Sequence, residues 1–204
     1  MANLLKINSE NPQKRLIKKV VEALHSDAVI IYPTDSGYAL GTTIGNKKGI
    51  ERIKIIRNLK ASHHFTLIMR NLSHIGEYAK LNNSAFRLLK KIIPGPYTFI
   101  LEIMKDVPRK ILHEKKKTIG IRVPNNNITQ SILEELEYPI MSVSLATDGD
   151  DFFDFDNIFD VMKNKVDIII DGGHCPTRQT TVIDLSGNNI NIIRQGLGDT
   201  SFIY

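Results

Sequence analysis

Residues 28–41 read Ala-Val-Ile-Ile-Tyr-Pro-Thr-Asp-Ser-Gly-Tyr-Ala-Leu-Gly, and the fold class turns on them. Ala28 to Tyr32 is a short continuous apolar run, the pattern of a strand buried on both faces, and Pro33 stops it. Just upstream, Leu16, Val20 and Leu24 recur at helical spacing with Ile17 and Val21 beside them. That helix begins near Asn11, takes Pro12 into its first turn and closes at Ser26 and Asp27. A helix leading into a doubly buried strand predicts an α/β layered protein. Pro33 to Gly41 then leaves the strand at its carboxyl end, where such sheets place ligands. Thr34 and Ser36 offer hydroxyls there, and the glycines permit close backbone approach. By itself the segment reads equally well as a capped turn opening a helix.

The alternation continues outward. Ile50, Ile53 and Ile56 form a second helical stripe, Phe65 to Met69 is strand-like, and Phe86, Leu89 and Ile92 mark a helix ended by Pro94, Gly95 and Pro96. Tyr97 to Ile103 and Thr118 to Val123 are strands, and Ile128, Ile132, Leu133 and Leu136 make another helical face. Ile140 to Leu145, Val166 to Ile170, Thr181 to Leu185 and Ile190 to Arg194 complete the strands. About eight strands with four or five helices predict helices packed on a sheet. The sheet is mixed, because Ser186 to Asn189 is a hairpin-like turn between the last two strands. Gly149 to Asn157 reads as an acidic loop with aromatic anchors, and the residues after Gly196 as a short tail.

At 204 residues the chain fits one domain. Its 42% hydrophobic and 24% charged residues suit a soluble globular protein and exclude disorder as the main state. The net charge of +5 and pI near 9.2 favour an anionic partner without naming one. Cys175 is the sole cysteine, so no intrachain disulfide forms, and no apolar run approaches the ~20 residues needed to cross a bilayer. The cytoplasm is the expected compartment.

Familiar catalytic signatures are absent. Gly41 to Gly45 lacks the Lys-Ser/Thr of a P-loop, and there is no GxGxxG, HExxH or EF-hand loop. His63-His64 lacks metal-ligand spacing, and His174 beside Cys175 reads as a loop pair without catalytic meaning. What remains are polar side chains within apolar strands. Thr118 and Arg122 share one face of their strand by even spacing, as do Ser142 and Ser144. Such residues cost stability unless partnered, which implies a buried hydrogen-bond network or a polar ligand.

In order, Pro33-Thr34-Asp35-Ser36, Pro94 to Thr98, Gly120 to Pro124, Ser142-Val143-Ser144, Asp171-Gly172-Gly173, Thr180 to Asp184 and Arg194-Gln195-Gly196 resemble the YrdC-like family. The form PTDSGYALG is similar to that of its YciO branch. The likeness runs from about Asn11 to Gly198, which implies one domain over residues 1–204 and leaves no room for the extra C-terminal domain of some members. It implies a single-domain, twisted, open mixed sheet with flanking helices and an electropositive concave surface. It also implies synthesis of threonylcarbamoyl-AMP from L-threonine, bicarbonate and ATP with Mg²⁺, for N6-threonylcarbamoyladenosine in tRNA. No covalent nucleophile is implied. Carried over residue by residue, Thr34, Ser36, Arg122, Ser142 and Thr180 hold threonine, while Arg57, Thr118, Ser144 and Arg194 lie toward the nucleotide. A monomer or weak dimer is expected, with no membrane association.

The chain departs from that pattern in places. The Lys-x-Arg pair of the synthases becomes Ile55 and Arg57, with Lys54 facing elsewhere on its helix, and Ala146 replaces an asparagine after Ser144. The loop from Asn58 to Phe65 is longer, and Arg70 stands where many synthases have histidine, leaving Lys60 and Arg70 as candidates for the missing charge. A second reading is a non-catalytic module for double-stranded RNA or tRNA, motivated by those losses and by Lys47-Lys48, Lys90-Lys91 and Lys115-Lys116-Lys117. A third is an unrelated small-molecule binder on the same fold.

Overall fold

The chain opens with β1 (Asn3–Lys6), turns into α1 (Lys14–His25) and enters β2 (Ile30–Thr34), the helix–strand unit expected from the apolar pattern. This computed structural model describes residues 1–60, 63–104, 117–145, 155–176, 178–187 and 189–203. There follow β3 (Gly37–Thr43), α2 (Lys47–Ile56), β4 (Thr66–Ile68), α3 (Ile75–Tyr78), α4 (Asn83–Ile92), β5 (Tyr97–Glu102) and β6 (Thr118–Arg122). Then come α5 (Asn127–Leu136), β7 (Ile140–Ser144), α6 (Phe155–Met162), β8 (Ile168–Asp171), β9 (Thr181–Asp184) and β10 (Asn191–Arg194). Asn46, Asn82 and Asn126 cap α2, α4 and α5, each side chain accepting from a backbone N–H three residues on.

The strands form one mixed sheet in the order β1-β8-β2-β3-β7-β4-β6-β5-β9-β10. The β9–β10 pair is antiparallel, as the hairpin-like turn requires, while β4–β6 and β5–β9 are parallel. The expected class, a single-domain mixed sheet with flanking helices, is the one found.

Side-chain alternation divides the core. Leu67, Phe99, Ile121 and Ile183 pack with Ile75, Ala85 and Leu89 of α3 and α4. Ile31, Leu40 and Val143 pack with Ile53 of α2 and Ile158 and Met162 of α6. These clusters cover the same face, since Met141 and Val143 share one side of β7 and join one cluster each. On the opposite face α1 and α5 cover β8, β2 and part of β3 through Ile17, Val20, Leu24, Ile128 and Ile132. Beyond them, the face formed by β7, β4, β6, β5 and β9 carries Ser142, Thr66, Gly120, Arg122 and Thr98 and opens into a cavity.

Several expectations are corrected. Residues 37–43 neither open a helix nor stay a loop; they form β3, paired antiparallel with β2 from Thr34↔Gly37 to Ile30↔Gly41. Gly37, at φ +126, lets the chain reverse after Asp35 and Ser36. Pro33 does not stop β2 either, because β8 pairs only with Ile30 and Ile31 and so asks no amide of position 33. α1 begins at Lys14, past Pro12. Of the acidic loop, residues 149–154 lie outside the described residues, and Phe155 onward is helix α6. The tail is docked: the Leu197 N–H donates to the Gln179 carbonyl, and the Thr181 hydroxyl donates to the Gly198 carbonyl at 2.6 Å. Among the described residues, no helix is long and apolar enough to cross a membrane.

Candidate functional site

The open face ends in a cavity of about 300 Å³ whose walls come from β2, β3, β4, β5, β6, β7, β9 and β10 and from the C-terminus of α2. Register explains the gathering. Ser142 pairs with both Gly41 and Thr66, and Thr66 pairs with Gly120, so these positions form one row across four strands. Arg122 lies two residues along β6 on the same face, opposite Ile68.

Arg122 is the central polar group, only 7% exposed. Its Nη2 donates to the Asp35 carboxylate in a salt bridge and to Thr34 Oγ1 at 3.3 Å. The other Asp35 oxygen accepts from the Asn125 N–H at 2.9 Å. Charge is therefore balanced, but hydrogen bonding is not: Arg122 Nε is buried without a partner. An unanswered buried donor costs about 1–3 kcal/mol and more when charged, so a ligand acceptor that reaches Nε recovers that cost.

Thr34, 2% exposed, lines the cavity but has no capacity left. Its hydroxyl donates to the Gly37 carbonyl at 2.6 Å and accepts from the Ser36 N–H and from Arg122. One donor and two acceptor positions are all used, so Thr34 holds Arg122 in place. Ser142 Oγ accepts from the Tyr32 hydroxyl at 2.6 Å and donates to the Leu40 carbonyl at 2.9 Å. Across the cavity, the Thr98 and Thr180 hydroxyls lie 2.8 Å apart, and Arg194 donates from Nε and Nη2 to the Thr180 carbonyl. Arg57, the C-cap of α2, donates from Nε to the Ser144 carbonyl at 3.0 Å.

Thr34, Ser36, Arg57, Arg122, Ser142, Ser144, Thr180 and Arg194 are thus brought to one cavity. Thr118 is not: it shares the face of Arg122 but sits four residues earlier on β6, opposite Glu102 and outside the lining. Ile55 is 80% exposed and also outside it. Neither Lys60 nor Arg70 replaces the missing lysine in the lining. Arg70 is ion-paired to Glu134 at 2.6 Å and lines a separate cavity of about 410 Å³ beside α3 and the end of α5. Ala146 lies outside the described residues. Thr66, Thr98, Gln179, His63 and His64 also line the cavity, though the sequence reading did not name them as site residues. Only Thr66 and Thr98 left a signal, as polar residues inside apolar strands.

His174 is exposed and Cys175 buried, and burial pushes the Cys175 thiol up to about 11, so it stays protonated near neutrality. Among the described residues no three His, Cys, Asp or Glu side chains converge as a metal site. The site's polar groups are donors and hydroxyls, which suit anionic oxygens.

The Sua5/YciO/YrdC family profile, described as telomere recombination, matches residues 22–196. The chain belongs to that family. Within the Sua5/YciO/YrdC family it is 48% identical over 201 residues to a protein of Escherichia coli K12 named "Uncharacterized protein YciO", covering 98% of each. The crystal structure of E. coli YciO superposes with a TM-score of 0.93 at 47% identity, over 100% of both chains. A relative from Methanocaldococcus jannaschii, named putative threonylcarbamoyl-AMP synthase, is 28% identical over 95% of this chain and 93% of its own. P. abyssi Sua5, solved in complex with L-threonine, shares the fold at TM-score 0.86 and 23% identity, over 96% of this chain and 58% of that one.

Proposed function

We propose that this protein is an L-threonylcarbamoyladenylate synthase-like enzyme, forming threonylcarbamoyl-AMP from L-threonine, bicarbonate and ATP for tRNA N6-threonylcarbamoyladenosine. The observation that carries the reading is the buried Arg122 Nε without a partner, beside a floor of hydroxyls. A carboxylate oxygen of threonine answers that donor, while Asp35 keeps the guanidinium in register. The M. jannaschii relative bears the synthase name, and the same fold holds L-threonine in P. abyssi Sua5.

The chemistry asks for placement. The threonine nitrogen attacks the carbon of bicarbonate, or of carbon dioxide formed from it; the hydroxide lost from bicarbonate leaves as water with the proton given up by the amine, and a carbamate remains. A carbamate oxygen then attacks the α-phosphorus of ATP, and pyrophosphate leaves. Two anions must be brought into line, which Arg122, Arg57 and Arg194 around one cavity perform without a nucleophilic side chain. Mg²⁺ bound with the nucleotide would neutralise phosphate charge beside Arg57 and Arg194.

The alternative reading as an RNA module draws less support. Lys47-Lys48 begins α2 and Lys90-Lys91 ends α4, so these clusters sit on different elements, while Lys115-Lys116 lies outside the described residues. Incubation with ATP, threonine, bicarbonate and Mg²⁺ tests the proposal. Pyrophosphate release dependent on all of them is expected; none above a blank at high protein concentration overturns it. RNA affinity that falls steeply with salt in the same preparation then favours the module.

A further inference from the structure

Tyr32 is fully buried, and among the described residues the Ser142 hydroxyl is its one hydrogen-bond partner, at 2.6 Å. A buried phenol with a single partner must donate to it, because accepting instead leaves its own proton unanswered. Ser142 is thereby barred from donating to Tyr32, and its proton goes to the Leu40 carbonyl at 2.9 Å. One lone pair of Ser142 Oγ remains, on a residue that lines the cavity. Burial pushes the Tyr32 phenol up to about 12, so it stays protonated, and a donor, at neutral pH.

We infer that Tyr32 is a positioning residue that fixes Ser142 as a pure acceptor and makes the site select a ligand with an N–H or O–H donor as well as a carboxylate. The two polar groups differ in sense: Arg122 Nε can only donate, and Ser142 Oγ can only accept. A plain carboxylic acid answers the first alone. An amino acid with a hydroxyl side chain answers both, through its amine or its hydroxyl. The inference rests on the threonine reading above and adds the residue that enforces it from outside the cavity wall.

The test is a cycle between ligand and protein. Binding of L-threonine, 2-aminobutyrate, which lacks the hydroxyl, and 3-hydroxybutyrate, which lacks the amine, is measured by calorimetry on the full chain and on Tyr32→Phe. Loss of orientation at Ser142 weakens threonine about fivefold to tenfold in Tyr32→Phe. The analogue missing the group that meets Ser142 shows less than a twofold change, because it has no bond there to lose. Equal weakening of all three ligands, as a general disturbance of packing gives, overturns the inference; so does unchanged threonine affinity. If Tyr32→Phe fails to fold, Ser142→Ala serves the same cycle, with one analogue spared as the expected result and uniform loss as the contrary one. Failure of the unaltered protein to bind threonine at all overturns the threonine reading and this inference together, whereas uniform loss removes this inference alone.

Discussion

Arg122 and Asp35 form an ion pair whose side chains are only 9% and 11% exposed, and the arginine meets its counter-ion through Nη2 while Nε stays without a partner. The pair neutralises a charge the sheet could not otherwise bury, and it leaves Nε without an acceptor within the chain.

On the proposed function, this arrangement separates the stabilising part of Arg122 from its binding part. Arg122→Ala leaves the Asp35 carboxylate buried and unpaired, which costs about 3–5 kcal/mol. For a chain of this size that is a drop in Tm of roughly 10 °C. Arg122→Lys retains a cation for Asp35 but has no Nε and no planar fork. It is expected to melt within a few degrees of the unaltered protein and to bind threonine at least tenfold more weakly. Scanning fluorimetry with calorimetry checks this, and undiminished threonine affinity in Arg122→Lys contradicts it.

Alkaline stability follows from the buried hydroxyls and thiol. In the unfolded chain a tyrosine loses its proton near pH 10, whereas burial holds Tyr32 to about 12 and raises Tyr38 as well. Cys175 rises from 9.0 to about 11 by the same cause. Between these values the folded state holds more protons than the unfolded one, so stability is complete below pH 9 and falls as pH rises toward 12. Each such group contributes a slope of about 1.4 kcal/mol per pH unit within its own window. Tyr32→Phe is expected to flatten the slope between pH 10 and 12 by one group's share. Denaturant midpoints measured at pH 8, 10 and 11 check it, and identical slopes for the two proteins count against it.

How much of this was legible depends on whether a residue's meaning lies along the chain or across it. Arg122, Ser142 and Ser144 stand out because they interrupt apolar strands at even spacing, and the sheet does turn them to one cavity. Thr118 shared that spacing but lies too far along β6, a distance that only register with β4 reveals. β3 was missed because Gly37 and Gly41 weaken a strand reading, although Gly37 makes the hairpin and Gly41 admits the Tyr32 ring. Tyr32 looked like one more apolar residue, since its partner is 110 positions away. His63 and His64 reach the cavity through a loop that has no periodicity to read.

The threonine and nucleotide roles in the proposed function can be told apart by ligand. Arg57 and Arg194 anchor on the backbone carbonyls of Ser144 and Thr180, so truncating either leaves the sheet's hydrogen-bond ladder intact. Arg57→Ala and Arg194→Ala are each expected to lower the thermal shift produced by ATP while sparing that produced by threonine. Arg122→Lys is expected to do the reverse. Equal loss of both shifts in every variant contradicts these roles, and an ATP shift unchanged in Arg57→Ala and Arg194→Ala does so too.

Gly41 tests whether the floor of the site tolerates any added volume. A Cβ there meets Ile140 Cγ2 at 2.6 Å and Tyr32 Cε1 at 2.8 Å, and both of those side chains are fully buried. Neither has solvent to retreat into, so Gly41→Ala forces the Tyr32 ring or the β3 backbone aside at a cost of about 1–3 kcal/mol. Movement of the ring also draws its hydroxyl from Ser142, which couples the packing defect to the site. Gly41→Ala is therefore expected to lower Tm by several degrees and to weaken threonine binding beyond what the lost stability explains. Gly76→Ala is the matched control: it lies in α3 with nothing within 4 Å of an added Cβ, and alanine favours a helix over glycine by about 1 kcal/mol. A Tm at or above the parent's is expected for Gly76→Ala with threonine affinity unchanged. A Gly41→Ala protein as stable as that control shows that the contact between β3 and Tyr32 is looser than these distances require.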